Sequence, residues 1–174
     1  MILTDLVDQV AYRMHVPRWA SLPLSGDGAA MHGGRANRPG VAALYLALET
    51  ETALGEYRQL SPLLPPGTLV TYRVTVSRVV DFREGYDDRS WAPLWESFGE
   101  DWRALWFDER IEPPSWVLGD DVIAEQGRGI LFRSSVVESG ANLVLYPDQL
   151  GADDEIIVHD PAGDLPRNQD SWAE

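Results

Sequence analysis

His32-Gly-Gly-Arg-Ala-Asn-Arg-Pro-Gly40 runs directly into Val41-Ala-Ala-Leu-Tyr-Leu-Ala-Leu48 and on to Ala53-Leu-Gly-Glu-Tyr57. The first segment reads as a glycine-rich loop that lets backbone approach a ligand. The second is a nearly continuous apolar run, the pattern of a strand covered on both sides. The third is a short helix carrying one carboxylate. Arg35, Tyr45 and Glu56 therefore fall on three consecutive elements that converge at one end, and the rest of the chain is read outward from them.

On the N-terminal side, a first helical turn gives way to a strand over Val10–Val16, which alternates, ends at Pro17 and puts Arg13 and His15 on one face. Residues Ser21–Gly40 hold five Gly and two Pro and read as a long functional loop. On the C-terminal side, Thr50 or Thr52 caps a helix from Glu51 to Leu60, which the Pro-rich Ser61–Gly67 ends. Thr68–Val76 is rich in β-branched residues and is the clearest strand, with a separate short strand at Val79–Phe82. Trp91, Trp95, Trp102 and Trp106 recur at intervals that describe one helical face, and large aromatics in such a stripe read as core. Pro113-Pro114-Ser115 caps a second long helix, Trp116–Gln126. Ile130–Phe132, Asn142–Tyr146 and Glu155–His159 are strands, and the tail 161–174 is polar and loosely ordered. The expectation is one α+β domain over residues 1–174, core about 12–160, with a mixed central sheet and about three helices.

Charge narrows the function. Twenty-eight acids oppose 14 bases, all of them Arg, for a net charge of −14. Such a field repels polyphosphate backbones, so nucleic-acid binding is not expected, and any anion site must be assembled from individual arginines. The chain has no Cys, no HExxH or HxH pair, no GxSxG and, lacking Lys, no P-loop. No metal site, membrane span or signal peptide is expected, and cytoplasmic location is the default.

Arg13, Arg35, Tyr45, Glu56 and Ser134 remain as polar residues at element ends. Singly, each has an ordinary reading: a loop arginine, a strand tyrosine, a solvated helix carboxylate, a turn serine. Glu56 is the least ordinary, because Ala53, Leu54 and Tyr57 flank it and a partly buried carboxylate needs partners.

Taken together and in order, Tyr12-Arg13, Gly33-Gly-Arg-Ala-Asn-Arg-Pro-Gly40, Leu44-Tyr-Leu-Ala47, Ala53-Leu-Gly-Glu56, Gly129-Ile-Leu-Phe-Arg-Ser134 and Asn142-Leu-Val-Leu-Tyr-Pro147 resemble the RES domain, the toxin half of bacterial toxin–antitoxin pairs. The resemblance departs at Ala36, where family members often carry an aromatic, and at Arg133, where Pro is common. It leaves the site serine open between Ser134 and Ser135. It implies an ADP-ribosyltransferase-like fold, NAD⁺ as substrate without a metal, and a cognate antitoxin carrying an Xre-like helix-turn-helix. On that reading Glu56 stabilises an oxocarbenium-like state, Arg35 and Arg13 bind pyrophosphate, Tyr45 stacks on nicotinamide, and Ser134 and Asn37 assist in binding. The acceptor stays open. A protein such as an enzyme of nucleotide metabolism is favoured by the docking surface of the loop Ser21–Gly40 and the Trp-rich segment Asp87–Pro114. Phosphate or water is the alternative, with Arg38 and Arg133 as a phosphate pocket, and a non-catalytic nucleotide-binding module is the third reading.

Overall fold

The computed structural model describes residues 1–59 and 61–170. Its frame is strand β3, Thr68–Asp81, whose Val, Thr and Tyr residues favour extended backbone over 14 residues. Antiparallel to it runs β1, Leu3–His15, from Leu3 against Val80 to His15 against Thr68. Strand pairing thus claims the N-terminus, and no helical turn forms there. The two segments expected on either side of Ser77-Arg78 are one strand, bent where Arg78 adopts a φ of 57° and the register with β1 slips.

Four shorter strands complete a six-stranded mixed sheet: β2 (Leu44–Ala47), β4 (Gly129–Arg133), β5 (Ala141–Leu145) and β6 (Glu155–Val158). The order β1-β2-β5-β4-β3 closes on itself, because β1 pairs with β3 as well as with β2. Beyond the bend, Val79–Asp81 runs parallel to β4, while Tyr72–Thr75 of the same strand pairs with β6. Leu6, Ala11, Leu44, Leu46, Val74, Leu131 and Leu143 form one buried cluster to which all five ring strands contribute, as expected of a barrel interior. The opposite face of β4 and β5, with Ile130, Phe132, Val144 and Tyr146, packs against an outer layer.

That outer layer contains helix α3, Pro114–Ala124, which starts with Pro at its first position where no N–H is needed. The Trp-rich segment beside it is not a regular α-helix. Pro93–Gly99 is a 3-10 segment, and Ala104–Glu109 is a π-helical turn. The core reading of its aromatics holds for Trp91, Trp95 and Trp102, which are buried, whereas Trp106 is half-buried. Phe82 and Trp91 meet edge to face at 4.8 Å, and Phe98 meets Phe132 at 5.3 Å, which fastens the segment to β3 and β4.

Helix α1, Asp27–His32, interrupts the stretch expected to be all loop. Helix α2, Thr50–Arg58, matches expectation apart from its cap: Glu49 is the N-cap, and no side chain caps the helix. The expected last residue, Leu60, lies outside the described residues, as do 171–174 of the tail. Before that point, Asp160 accepts N–H bonds from Asp164 and Leu165, and Leu165 packs on the inner cluster.

Candidate active site

Glu56 sits in the last turn of α2, half-buried, facing the start of β5 and the loop after β4. Ser134 Oγ donates to Glu56 Oε1 at 2.8 Å, and Asn142 Nδ2 donates to the same oxygen at 2.6 Å. Val136 and Val137 N–H groups both donate to Ser134 Oγ at 3.1 Å. The hydroxyl proton is therefore directed at the carboxylate, and Ser134 rather than Ser135 is the serine on Glu56. Hydrogen bonds to an ionised group are worth about 1.5–3 kcal/mol each, so the carboxylate is firmly held. Among the described residues no donor reaches Glu56 Oε2.

Tyr45, on β2, is bonded to the glycine loop. Its hydroxyl donates to Asn37 Oδ1 at 2.7 Å and accepts from Ala36 N at 2.9 Å. Gly34 is required beneath it, since a Cβ there would lie 2.5 Å from the tyrosine oxygen. Burial, opposed by the Ala36 N–H and the Arg35 guanidinium, pushes the Tyr45 hydroxyl well above its ordinary range, so it remains a neutral donor.

Arg35 is half-buried and donates to the carbonyls of Phe98 and Glu100 at 3.3 and 3.2 Å. The aromatic segment thus positions it, a role its sequence gave no sign of. Burial lowers the guanidinium pKa, and the nearby charges of Glu56 and Asp101 together with Tyr45 act against that. Arg35 and Glu56 are electrostatic neighbours without forming an ion pair, which leaves a gap between cation and carboxylate. On the far side of Arg35 opens a small cleft of about 140 Å³, lined by Arg83, Phe98, Phe132, Arg133 and Ser135 as well as Arg35.

Other expected residues lie elsewhere or do something else. Asn37 is 1% exposed, and its amide donates to the carbonyls of Ala29, Arg38 and Val41 while its oxygen accepts from Tyr45. Both polar atoms of its side chain are committed, so Asn37 holds the loop in place. Arg13 donates to the Ser25 carbonyl at 3.2 Å and neighbours His15 and Tyr72, not Glu56 or Arg35. Arg38 is paired with Glu112 and Asp120 at 2.7 and 2.5 Å and is not among the residues lining that cleft. Arg133 does line the cleft, beside Glu84 and the Arg83 carbonyl.

Two residues went unassigned in the sequence. Asn142 opens one of the segments that carry the family resemblance but was given no role, although it shares a face with Tyr45 through the pairing of Ala47 with Asn142. Glu49 accepts from Thr52 Oγ1 and Ala141 N, joining the start of α2 to β5. A larger groove, about 540 Å³, lies between Val16-Pro17-Arg18 and Tyr57, Pro65 and Pro66. It is mainly apolar and lacks the convergent polar groups that gather around Glu56.

An α+β ring of strands with a glycine loop, an arginine and a carboxylate pinned by a serine defines a recognisable class. The RES domain family profile matches residues 10–168, and the chain belongs to that family. In structure it is similar to a chain of the M. tuberculosis MbcT–MbcA toxin–antitoxin complex, with a TM-score of 0.64 and 20% identity over 91% of this chain and 85% of that one. Comparison with curated proteins returns no match.

Proposed function

We propose that this chain is the toxin of a toxin–antitoxin pair and that it cleaves the nicotinamide–ribose bond of NAD⁺. The observation that carries this is the Glu56 carboxylate, gripped on one oxygen by two neutral donors and left open on the other. As the C–N bond breaks, its electron pair leaves with nicotinamide and the ribose becomes cationic. A fixed carboxylate whose charge is not cancelled by an ion pair stabilises that cation more than the ground state. Arg35 supplies the charge for the pyrophosphate, and the Tyr45 ring, held by its hydroxyl, offers a stacking face for nicotinamide.

For the acceptor, the fold shifts the balance from a protein toward phosphate. Trp91, Trp95 and Trp102 are buried, as expected of core aromatics, and add nothing to a docking surface. Arg35, Arg83 and Arg133 border a cleft suited in size to a small anion. Attack of a phosphate oxygen on the ribosyl carbon would release nicotinamide and ADP-ribose 1″-phosphate. Transfer of ADP-ribose to a protein is the second reading. An antitoxin restrains it on this reading, and the resemblance suggests one bearing an Xre-like helix-turn-helix; the structural relative was itself solved with an antitoxin.

Labelled NAD⁺ incubated with the protein, with and without phosphate and then with cell extract, separates these readings. Phosphate-dependent turnover to the 1″-phosphate is expected. A discrete labelled protein band would favour transfer, and no nicotinamide release under any condition would overturn the enzymatic reading.

A further inference from the structure

We infer that Asn142 is a positioning residue for the cleavage step: with Ser134 it fixes one oxygen of Glu56 and so presents the other to the substrate. This rests on the NAD⁺ reading above. Asn142 is only 8% exposed, in a five-residue strand that is otherwise apolar. Burying an amide is unfavourable unless it is hydrogen-bonded, and an aliphatic side chain would fill the same space without that penalty. The amide nitrogen must face Glu56, because a carboxylate oxygen accepts and the amide oxygen cannot donate.

The backbone that carries Asn142 is itself pinned to the helix that carries Glu56. Glu49 Oε2 accepts from Ala141 N at 3.0 Å and from Thr52 Oγ1 at 2.8 Å. Thr52 and Glu56, four residues apart, share one face of α2, and Glu49 at its N-cap lies three residues before Thr52, so all three lie along the entry to β5. Helix and strand are thus joined twice, once at Glu49 and once at Glu56, and the Asn142 bond sets the direction of the carboxylate within that frame.

Both donors on Glu56 are neutral. An Arg or Lys in place of Asn142 would hold the carboxylate as well, yet would cancel the charge that the developing ribosyl cation needs. An amide orients the group and leaves its charge intact.

The test compares nicotinamide release by the wild type, Asn142→Leu and Asn142→Asp, with kcat and KM for NAD⁺ across pH and a thermal melt for each. Asn142→Leu keeps the heavy-atom branching and loses the donor; its kcat should fall about 10- to 100-fold with KM within about threefold of wild type. Asn142→Asp sets a second carboxylate against Glu56, and the acid limb of its kcat profile should move up by about one pH unit or more, since two carboxylates in one site resist joint ionisation. A folded Asn142→Leu protein with wild-type kcat, or an Asn142→Asp profile with an unmoved acid limb, overturns the positioning role while leaving NAD⁺ cleavage standing. A wild type that releases no nicotinamide overturns the NAD⁺ reading and the positioning role with it.

Discussion

Ser134 Oγ lies 2.8 Å from Glu56 Oε1 across 78 residues of sequence, and the backbone N–H groups of Val136 and Val137 fix the serine in turn. Ser134→Ala removes one of the two donors on the carboxylate and leaves both N–H groups without that acceptor. Its kcat should drop about tenfold, with a modest loss of thermal stability. Steady-state nicotinamide release and a melting curve on the same sample measure both.

Arg35 is held by the Phe98 and Glu100 carbonyls and borders the cleft. Arg35→Ala should therefore act mainly on binding, raising KM for NAD⁺ by about tenfold or more with a smaller change in kcat. Loss confined to kcat, at unchanged KM, would instead place Arg35 on the transition state.

Asn37→Ala is a stability variant in this account. It strips the amide from three carbonyls and the acceptor from Tyr45, around a side chain that is itself almost fully buried. Leaving such groups unpaired should destabilise the fold by about 2–4 kcal/mol. Denaturant unfolding checks this, and an unchanged midpoint would mean the loop is not held as described.

His15 gives the fold a pH dependence. It is 5% exposed, bonded through Nε2 to the Tyr72 hydroxyl at 2.7 Å, which itself donates to the Pro23 carbonyl. Burial and, secondarily, Arg13 lower its pKa from 6.5 to about 4. Between those values the unfolded chain binds the proton and the folded one does not, so stability is full above about pH 6.5 and declines as pH falls toward 4. The contribution at risk is about 3 kcal/mol at most. Melts from pH 7 to 4.5 should show a falling Tm, and His15→Gln should flatten that slope.

Much of the fold was legible because its strands carry local signals. The β-branched run of β3 and the apolar runs of β2, β4 and β5 announce themselves, and Pro114 marks the start of α3. What misled was spacing without context: Trp91, Trp95, Trp102 and Trp106 have helical intervals, yet Trp95 lies on a 3-10 segment, Trp106 on a π turn, and Trp91 and Trp102 just before them, where aromatic packing, not backbone periodicity, fixes them. β1 extends to Leu3 because a long partner strand overrides weak local preference. At the site, Arg35, Tyr45, Glu56 and Ser134 could be read from motif order. The roles of Asn37, Asn142 and the Phe98 carbonyl could not, since each depends on contacts between segments far apart in sequence.

The central claim is that the open oxygen of Glu56 acts on the nicotinamide–ribose bond. Nicotinamide release from NAD⁺ by the wild type and by Glu56→Gln, paired with calorimetric NAD⁺ binding to each, tests it most directly. A fall in kcat of about 10²-fold or more in a folded Glu56→Gln protein that still binds NAD⁺ is the predicted result. An unchanged rate in that variant would contradict the account, because the fixed carboxylate at its centre would then do no chemistry.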